Sequence, residues 1–128
     1  MNIIICGAGR VGFTIAKQLS EQGHSITVID QSSEDIQKID DSLDVKAIVG
    51  KATYPSILEK ANASEADMII AVTRNDEINM VICQIAFSIF NIPKKIARIR
   101  SQDYLNPKFT TVYNKENLPI DVIISPEL

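Results

Sequence analysis

The sequence of 128 residues holds no tryptophan, one histidine and two cysteines. The cysteines, Cys6 and Cys83, each sit among apolar neighbours. They make no disulfide framework and read as buried reduced thiols, which points to a cytoplasmic protein. No cluster of Cys and His has metal-ligand spacing, so no metal is expected. The single histidine, His24, falls in the turn Gly23-His24-Ser25 ahead of a strand, at the wrong end of a sheet to serve as acid or base. No basic flank and cleavage site accompany the first apolar run, so no signal peptide is read. The longest apolar stretch, 78–92, is broken by Asn79, Gln84, Ser88 and Asn91 and is no membrane span. Positive charge is not in excess either: 13 Lys and Arg against 16 Asp and Glu leave a net charge of -3. Such a chain lacks the overall field that draws nucleic acid or anionic lipid, and any phosphate must be held locally. There is no internal repeat and no low-complexity linker, and the length suits one domain.

What is present is alternation. Apolar runs at 2–6, 25–30, 45–49, 67–72, 95–99 and 121–124 read as strands. Helical patterns at 10–22, 32–41, 54–61 and 76–91 lie between them, with a weaker one at 107–114. Strands of near-continuous Ile and Val alternating with helices predict an α/β fold: a Rossmann-type doubly wound parallel sheet of about six strands with helices on both faces. In this reading 1–120 form a dinucleotide-binding domain. Residues 121–128 supply the last strand and the start of a hinge, and the abrupt end at Ser125-Pro126-Glu127-Leu128 reads as a cut in a longer protein.

The first strand runs into Gly7-Ala8-Gly9-Arg10-Val11-Gly12, and a helix opens there. This is the setting in which a GxGxxG turn holds a pyrophosphate. The first glycine permits the turn, the second lets the backbone approach the phosphates, and the third lets helix and strand pack closely. Free N–H groups and the positive dipole end of the helix face the anion. Asp30 ends the second strand eighteen residues after Gly12. An acid there either hydrogen-bonds the adenosine ribose or caps the following turn, and it repels a 2′-phosphate, which favours NAD over NADP. Arg10, a cation at the positive end of a helix, makes sense beside a phosphate and is otherwise a solvated charge.

Thr73 and Arg74 follow the fourth strand, next to the switch point at which the crevice opens, and are candidate ligand contacts. Asn75, Asp76 and Glu77 read as helix cap and first turn. Arg98 and Arg100 alternate with Ala97 and Ile99 on the fifth strand. They reach a nucleotide or form ion pairs. The helix at 76–91 carries two apolar stripes, Ile78, Val81, Ile82, Ile85 and Ile89 on one side and Met80, Cys83, Phe87 and Phe90 on the other. A helix covering a sheet needs only one. The second stripe, assigned here to Met80, Cys83, Phe87 and Phe90, meets either a second copy of the chain or a covering segment.

Enzymatic chemistry finds little footing. Tyr104 and Lys108 mimic a short-chain dehydrogenase pair, but Pro107 interrupts the helix that would align them. The rival reading is the cofactor domain of an NAD-dependent dehydrogenase whose substrate domain is missing.

Together, 2–12 (NIIICGAGRVG), Asp30, 71–79 (AVTRNDEIN) and 97–100 (ARIR) resemble the RCK/KTN (TrkA-N) family, the cytosolic regulatory domains of bacterial potassium transport systems. The resemblance runs on to Ser125-Pro126-Glu127. It implies a non-enzymatic sensor that binds NAD or NADH, with ATP or ADP as the alternative. It implies that Gly7, Ala8, Gly9, Arg10, Val11 and Gly12 hold the phosphates, Asp30 the ribose, and Thr73, Arg74 and Arg98 the remainder. It further implies a homo-oligomer built through the helix at 76–91 and an integral membrane potassium transporter subunit as partner, with the domain peripheral at the inner face of the membrane. One departure stands out. Many family members carry Gly-Asp-Ala-Thr after the third strand, and here Gly50-Lys51-Ala52-Thr53 puts a cation there. Lys51 therefore either favours a ligand with more phosphate or points to solvent.

Overall fold

In the computed structural model, which describes residues 1–125, β1 (Asn2–Cys6) is buried from Ile3 onward. That is what a parallel strand covered on both faces requires. Helix α1 (Arg10–Glu21) returns the chain to β2 (Ser25–Asp30), and α2 (Ser33–Ser42) to β3 (Lys46–Val49). Next come α3 (Pro55–Lys60), a 3-10 turn (Ala63–Glu65), β4 (Met68–Ala71), α4 (Asp76–Ser88) and β5 (Lys94–Arg98). A short α5 (Gln102–Leu105) and a second 3-10 turn (Pro107–Val112) lead to β6 (Val122–Ile124).

The six strands form one sheet in the order β3-β2-β1-β4-β5-β6, and every neighbouring pair is parallel. The chain builds outward from β1 to β3, then crosses back to β4 beside β1. The expected doubly wound architecture is therefore present, with its switch point between β1 and β4. Two cores flank the sheet. Ile3, Ile5, Ile26, Val28, Ile70 and Val72 pack under α1 and α2, where they meet Ala16, Ile36 and Ile39. Ile4, Cys6, Ile29, Ile69, Ala71, Ala97 and Ile99 pack on the other face against Leu58 of α3 and Ile82 and Ala86 of α4. β6 joins the sheet beside β5. The hinge expected beyond Ser125 lies outside the described residues.

Helix α4 corrects the sequence reading in two ways. It ends at Ser88 rather than at 91, because Asn91 adopts a left-handed φ of 53° and Pro93 follows. Its inward stripe is Asn79, Ile82, Cys83 and Ala86. Cys83, assigned above to the outward stripe, is fully buried, with its Sγ 3.8 Å from the Ile96 carbonyl. Met80 and Phe90 are partly buried against the core, and only Phe87 of that set is exposed. The outward apolar stripe is instead Ile78, Val81, Ile85 and Ile89, three of them 37–54% exposed. Asn79, Cys83 and Ala86 face the sheet with Ile82 because α4 lies close to it, and Ile78, Val81 and Ile89 are turned away. A second, unpaired apolar stripe is real, but its membership is different. The helix expected at 107–114 is likewise a 3-10 turn, opened by Asn106, whose Oδ1 accepts from the Lys108 N–H at 3.0 Å.

Lys95 is buried at the foot of β5. Its ammonium pairs with Asp121 at 3.2 Å and donates to the Ile92 carbonyl at 2.9 Å. Asp121 also accepts from the Lys95 backbone N–H at 2.7 Å. The pair ties the start of β6 to the loop leaving α4.

Both cysteines are free and buried. Burial pushes the Cys83 thiol up to about 12 and raises Cys6 still further, from an ordinary value of 9.0. The folded protein thus keeps these protons while the unfolded chain releases them, so stability is full below pH 9 and falls as pH rises from there. We expect the melting temperature to decline between pH 9 and 11 and iodoacetamide to label neither thiol at pH 8 without denaturant. Rapid labelling of the native protein would contradict the burial.

Candidate functional site

The chain leaves β1 through Gly7, which has a φ of 120°. A Cβ on Gly7 would meet the Val72 carbonyl oxygen at 2.8 Å. A Cβ on Gly12 would overlap the Gly7 carbonyl oxygen, so α1 can lie on its own entry turn only with hydrogen at that position. Gly9 differs: nothing lies within 4 Å of its virtual Cβ, and the space above it is open. Gly9 is also the N-cap of α1 and gives it no side-chain cap, whereas Ser32 caps α2 and Asn75 caps α4. The first-turn amides of α1 thus lack the oxygen that the other two helices supply.

These amides border an open cleft of about 710 Å³ at the C-terminal ends of the strands. Gly7, Gly9, Arg10, Val11, Asp30, Thr73, Arg74 and Arg98 all line it. Ala8 and Gly12 do not: they are buried behind the loop. Arg100, Lys51, Thr53, Asp35 and Ile78 are also in its wall. His24 is at the opposite end of the sheet, 3.1 Å from the terminal ammonium of Met1.

The two readings of Asp30 prove compatible. Its Oδ2 accepts from the Ala8 N–H and its Oδ1 from the Ser32 N–H, both at 2.8 Å. The carboxylate therefore pins the glycine loop to the start of α2, and each oxygen keeps a second lone pair for a hydroxyl. Lys51 is exposed, 5.5 Å from the centre of the Tyr54 ring and on the same side of the cleft.

The far wall is basic. Arg98 is only 6% exposed, and its Nε has no hydrogen-bond partner. Burial and the neighbouring Arg100 push its pKa below the usual arginine value, with Asp76 opposing and Arg74 adding to the shift. Arg100 donates to the Arg74 carbonyl at 2.9 Å. Among the described residues the only ion pair is Lys95–Asp121, so the arginines face the cleft without carboxylate partners of their own.

Two residues of α4 hold this wall together. Asp76 accepts from the backbone N–H groups of Arg100 and Ser101, at 3.1 and 2.8 Å. Fully buried Asn79 accepts from the Thr73 N–H and hydroxyl, and donates to the Thr73 and Arg98 carbonyls. The sequence reading gave Asp76 to the first turn of the helix and, apart from the family resemblance, left Asn79 as an interruption of an apolar run. A lone polar residue at the inward spacing of an otherwise apolar helix was the available signal. Tyr104 and Lys108 fall on separate elements, α5 and the second 3-10 turn, so they make no aligned pair.

The family model of the TrkA-N domain matches residues 3–126. The chain belongs to the TrkA-N domain family. A curated relative from Azorhizobium caulinodans, named Trk system potassium uptake protein TrkA, is 47% identical over the whole chain. This TrkA-N domain spans 28% of that relative's length. Among solved structures, the Shewanella denitrificans Kef CTD in AMP bound form is 25% identical with a TM-score of 0.71, over 86% of this chain and 69% of that one. A GsuK channel bound to NAD shares the fold at a TM-score of 0.76 and 16% identity, over 96% of this chain and 21% of that one.

The glycine geometry separates folding from access. Gly12→Ala should cost about 3 kcal/mol, since backbone has to move. Gly9→Ala, at an extended φ of -74° and in open space, should stay within about 0.5 kcal/mol of the parent. Urea denaturation of the two variants measures both, and equal losses would contradict the geometry.

Proposed function

We propose that this domain is a nucleotide sensor in a cytoplasmic regulatory subunit of a potassium uptake system. It binds NADH or NAD, with ATP or ADP as the alternative, and passes the ligand state through a homo-oligomer to an integral membrane transporter. The observation that carries the reading is the uncapped first turn of α1 over an open glycine, facing the same cleft as Asp30 and the unpaired Arg98. A pyrophosphate suits the α1 amides and Arg10, and an adenosine ribose suits Asp30. The bound AMP of the Kef domain and the bound NAD of the GsuK channel support an adenine nucleotide on this fold. The potassium link rests on the relative's name and on family membership. The regulatory rather than catalytic role likewise rests on the relative's name and on family membership. None of the described helices is long and apolar enough to cross a membrane. In this reading the domain meets the inner face of the membrane through its transporter partner.

The oligomer forms, in this reading, through the outward stripe Ile78, Val81, Ile85 and Ile89, with Phe87 at its flank. Ile78 also borders the cleft, so ligand and neighbouring subunit would meet at one turn of helix. Ligands shift such an assembly only through a difference in affinity between its states.

A ligand at about 100 times its dissociation constant should stabilise the domain by about 2.7 kcal/mol, a shift of several degrees in melting temperature. We expect NADH, NAD, ATP or ADP to give that shift and NADPH to give none. A flat panel would remove the reading. Light scattering of Val81→Asp should report a monomer where the parent is a dimer, and an unchanged mass would exclude this stripe as the interface.

A further inference from the structure

Arg98 and Asn79 form a unit that the binding of a mononucleotide at the glycine loop does not use. Register pairs Cys6, Ala71 and Ala97 on β1, β4 and β5, and Gly7, Val72 and Arg98 each follow by one residue. Arg98 therefore stands two strand spacings, about 10 Å, from the glycine loop. An AMP whose phosphate rests on the α1 amides ends short of it, and a longer ligand reaches it. Arg98 at that spot is nine-tenths buried as a residue, with its Nε buried and unpartnered, beside two more arginines. A buried N–H of a cation is costly unless an anion completes it.

Where the guanidinium sits depends on the backbone it springs from, and Asn79 ties that backbone down. Its Nδ2 donates to the Arg98 carbonyl at 2.8 Å and to the Thr73 carbonyl at 3.2 Å. Its Oδ1 accepts from the Thr73 N–H at 2.9 Å and the Thr73 hydroxyl at 2.7 Å. Every polar atom of this buried amide is spent on the two segments that frame the far half of the cleft. An apolar residue would fill the same space in the core without fixing either one.

We propose that Asn79 is a positioning residue: it holds Thr73 and Arg98 so that the buried guanidinium receives an anionic group carried by the nucleotide beyond its first phosphate. This rests on the nucleotide reading above and adds a charge-selective half to the cleft.

The test is titration calorimetry with AMP and ATP on the parent, Asn79→Asp, Arg98→Gln and the double variant. Ile39→Val, a core change under α2, controls for lost stability. In Asn79→Asp the second oxygen faces two carbonyls instead of donating to them, so the frame opens. ATP affinity should then fall about tenfold or more while AMP stays within about twofold. Arg98→Gln should show the same ATP-specific loss, and the double variant should lose little more than either single one, the mark of coupled residues. Ile39→Val should melt lower with both affinities unchanged. Equal losses for AMP and ATP, or none, would overturn the proposal while leaving the nucleotide site intact. Failure of the parent to bind either ligand would overturn both. If Asn79→Asp does not fold, the parent still decides: the side-chain amide resonances of Asn79 should shift with ATP and hold still with AMP, and a response identical for both ligands sinks the idea.

Discussion

Helix α1 begins against its own entry turn, and hydrogen at Gly12 is what permits it. The Gly7 carbonyl occupies the space a Cβ would need, and Gly7 in turn adopts a positive φ against the Val72 backbone. From that close contact the rest follows. The α1 N-terminus is carried to the ends of β1 and β4, at the point where the sheet changes its direction of winding. The second glycine is left bare over open space. Asp30 then clamps the loop from the neighbouring strand through the Ala8 N–H. The cleft is thus a by-product of backbone packing, and side chains only line it.

The two halves of the cleft are made by different means. On the β2 side, backbone N–H groups converge on one carboxylate. On the β5 side, a helix reaches down to the loop: Asp76 gathers the amides of Arg100 and Ser101, and Asn79 spans Thr73 and Arg98. The same helix shows solvent an apolar stripe. Its inner face therefore serves the cleft with polar atoms while its outer face offers contact area, so α4 belongs to both surfaces at once.

Much of this could be read in the residues. The Ile-rich runs announce the strands because a strand covered on both faces needs no alternation, and all six are where the pattern puts them to within a residue or two. The glycine spacing gives the turn and the place of each glycine. What could not be read is orientation. The apolar content of α4 is high on every side, so periodicity alone cannot say which stripe meets the sheet. The answer turned on Cys83 and Ala86 being small enough for close approach, and on Asn79 making four hydrogen bonds to Thr73 and to Arg98 at the end of β5. Arg98 and Arg100 were visible as unusual in a parallel strand. That Arg98 is buried with an unpartnered Nε, and that Asn79 binds its carbonyl, no local pattern reveals.

The sheet has two open margins, and both are short. β3 has four residues and begins with Lys46, and β6 has three. Each presents one row of backbone donors and acceptors to its surroundings. Short edges and a lysine give a second sheet too little ladder to grow onto. Edge-to-edge stacking between copies is thereby disfavoured at both margins. In the proposed oligomer, association is left to the side chains of α4, where shape and chemistry select a partner.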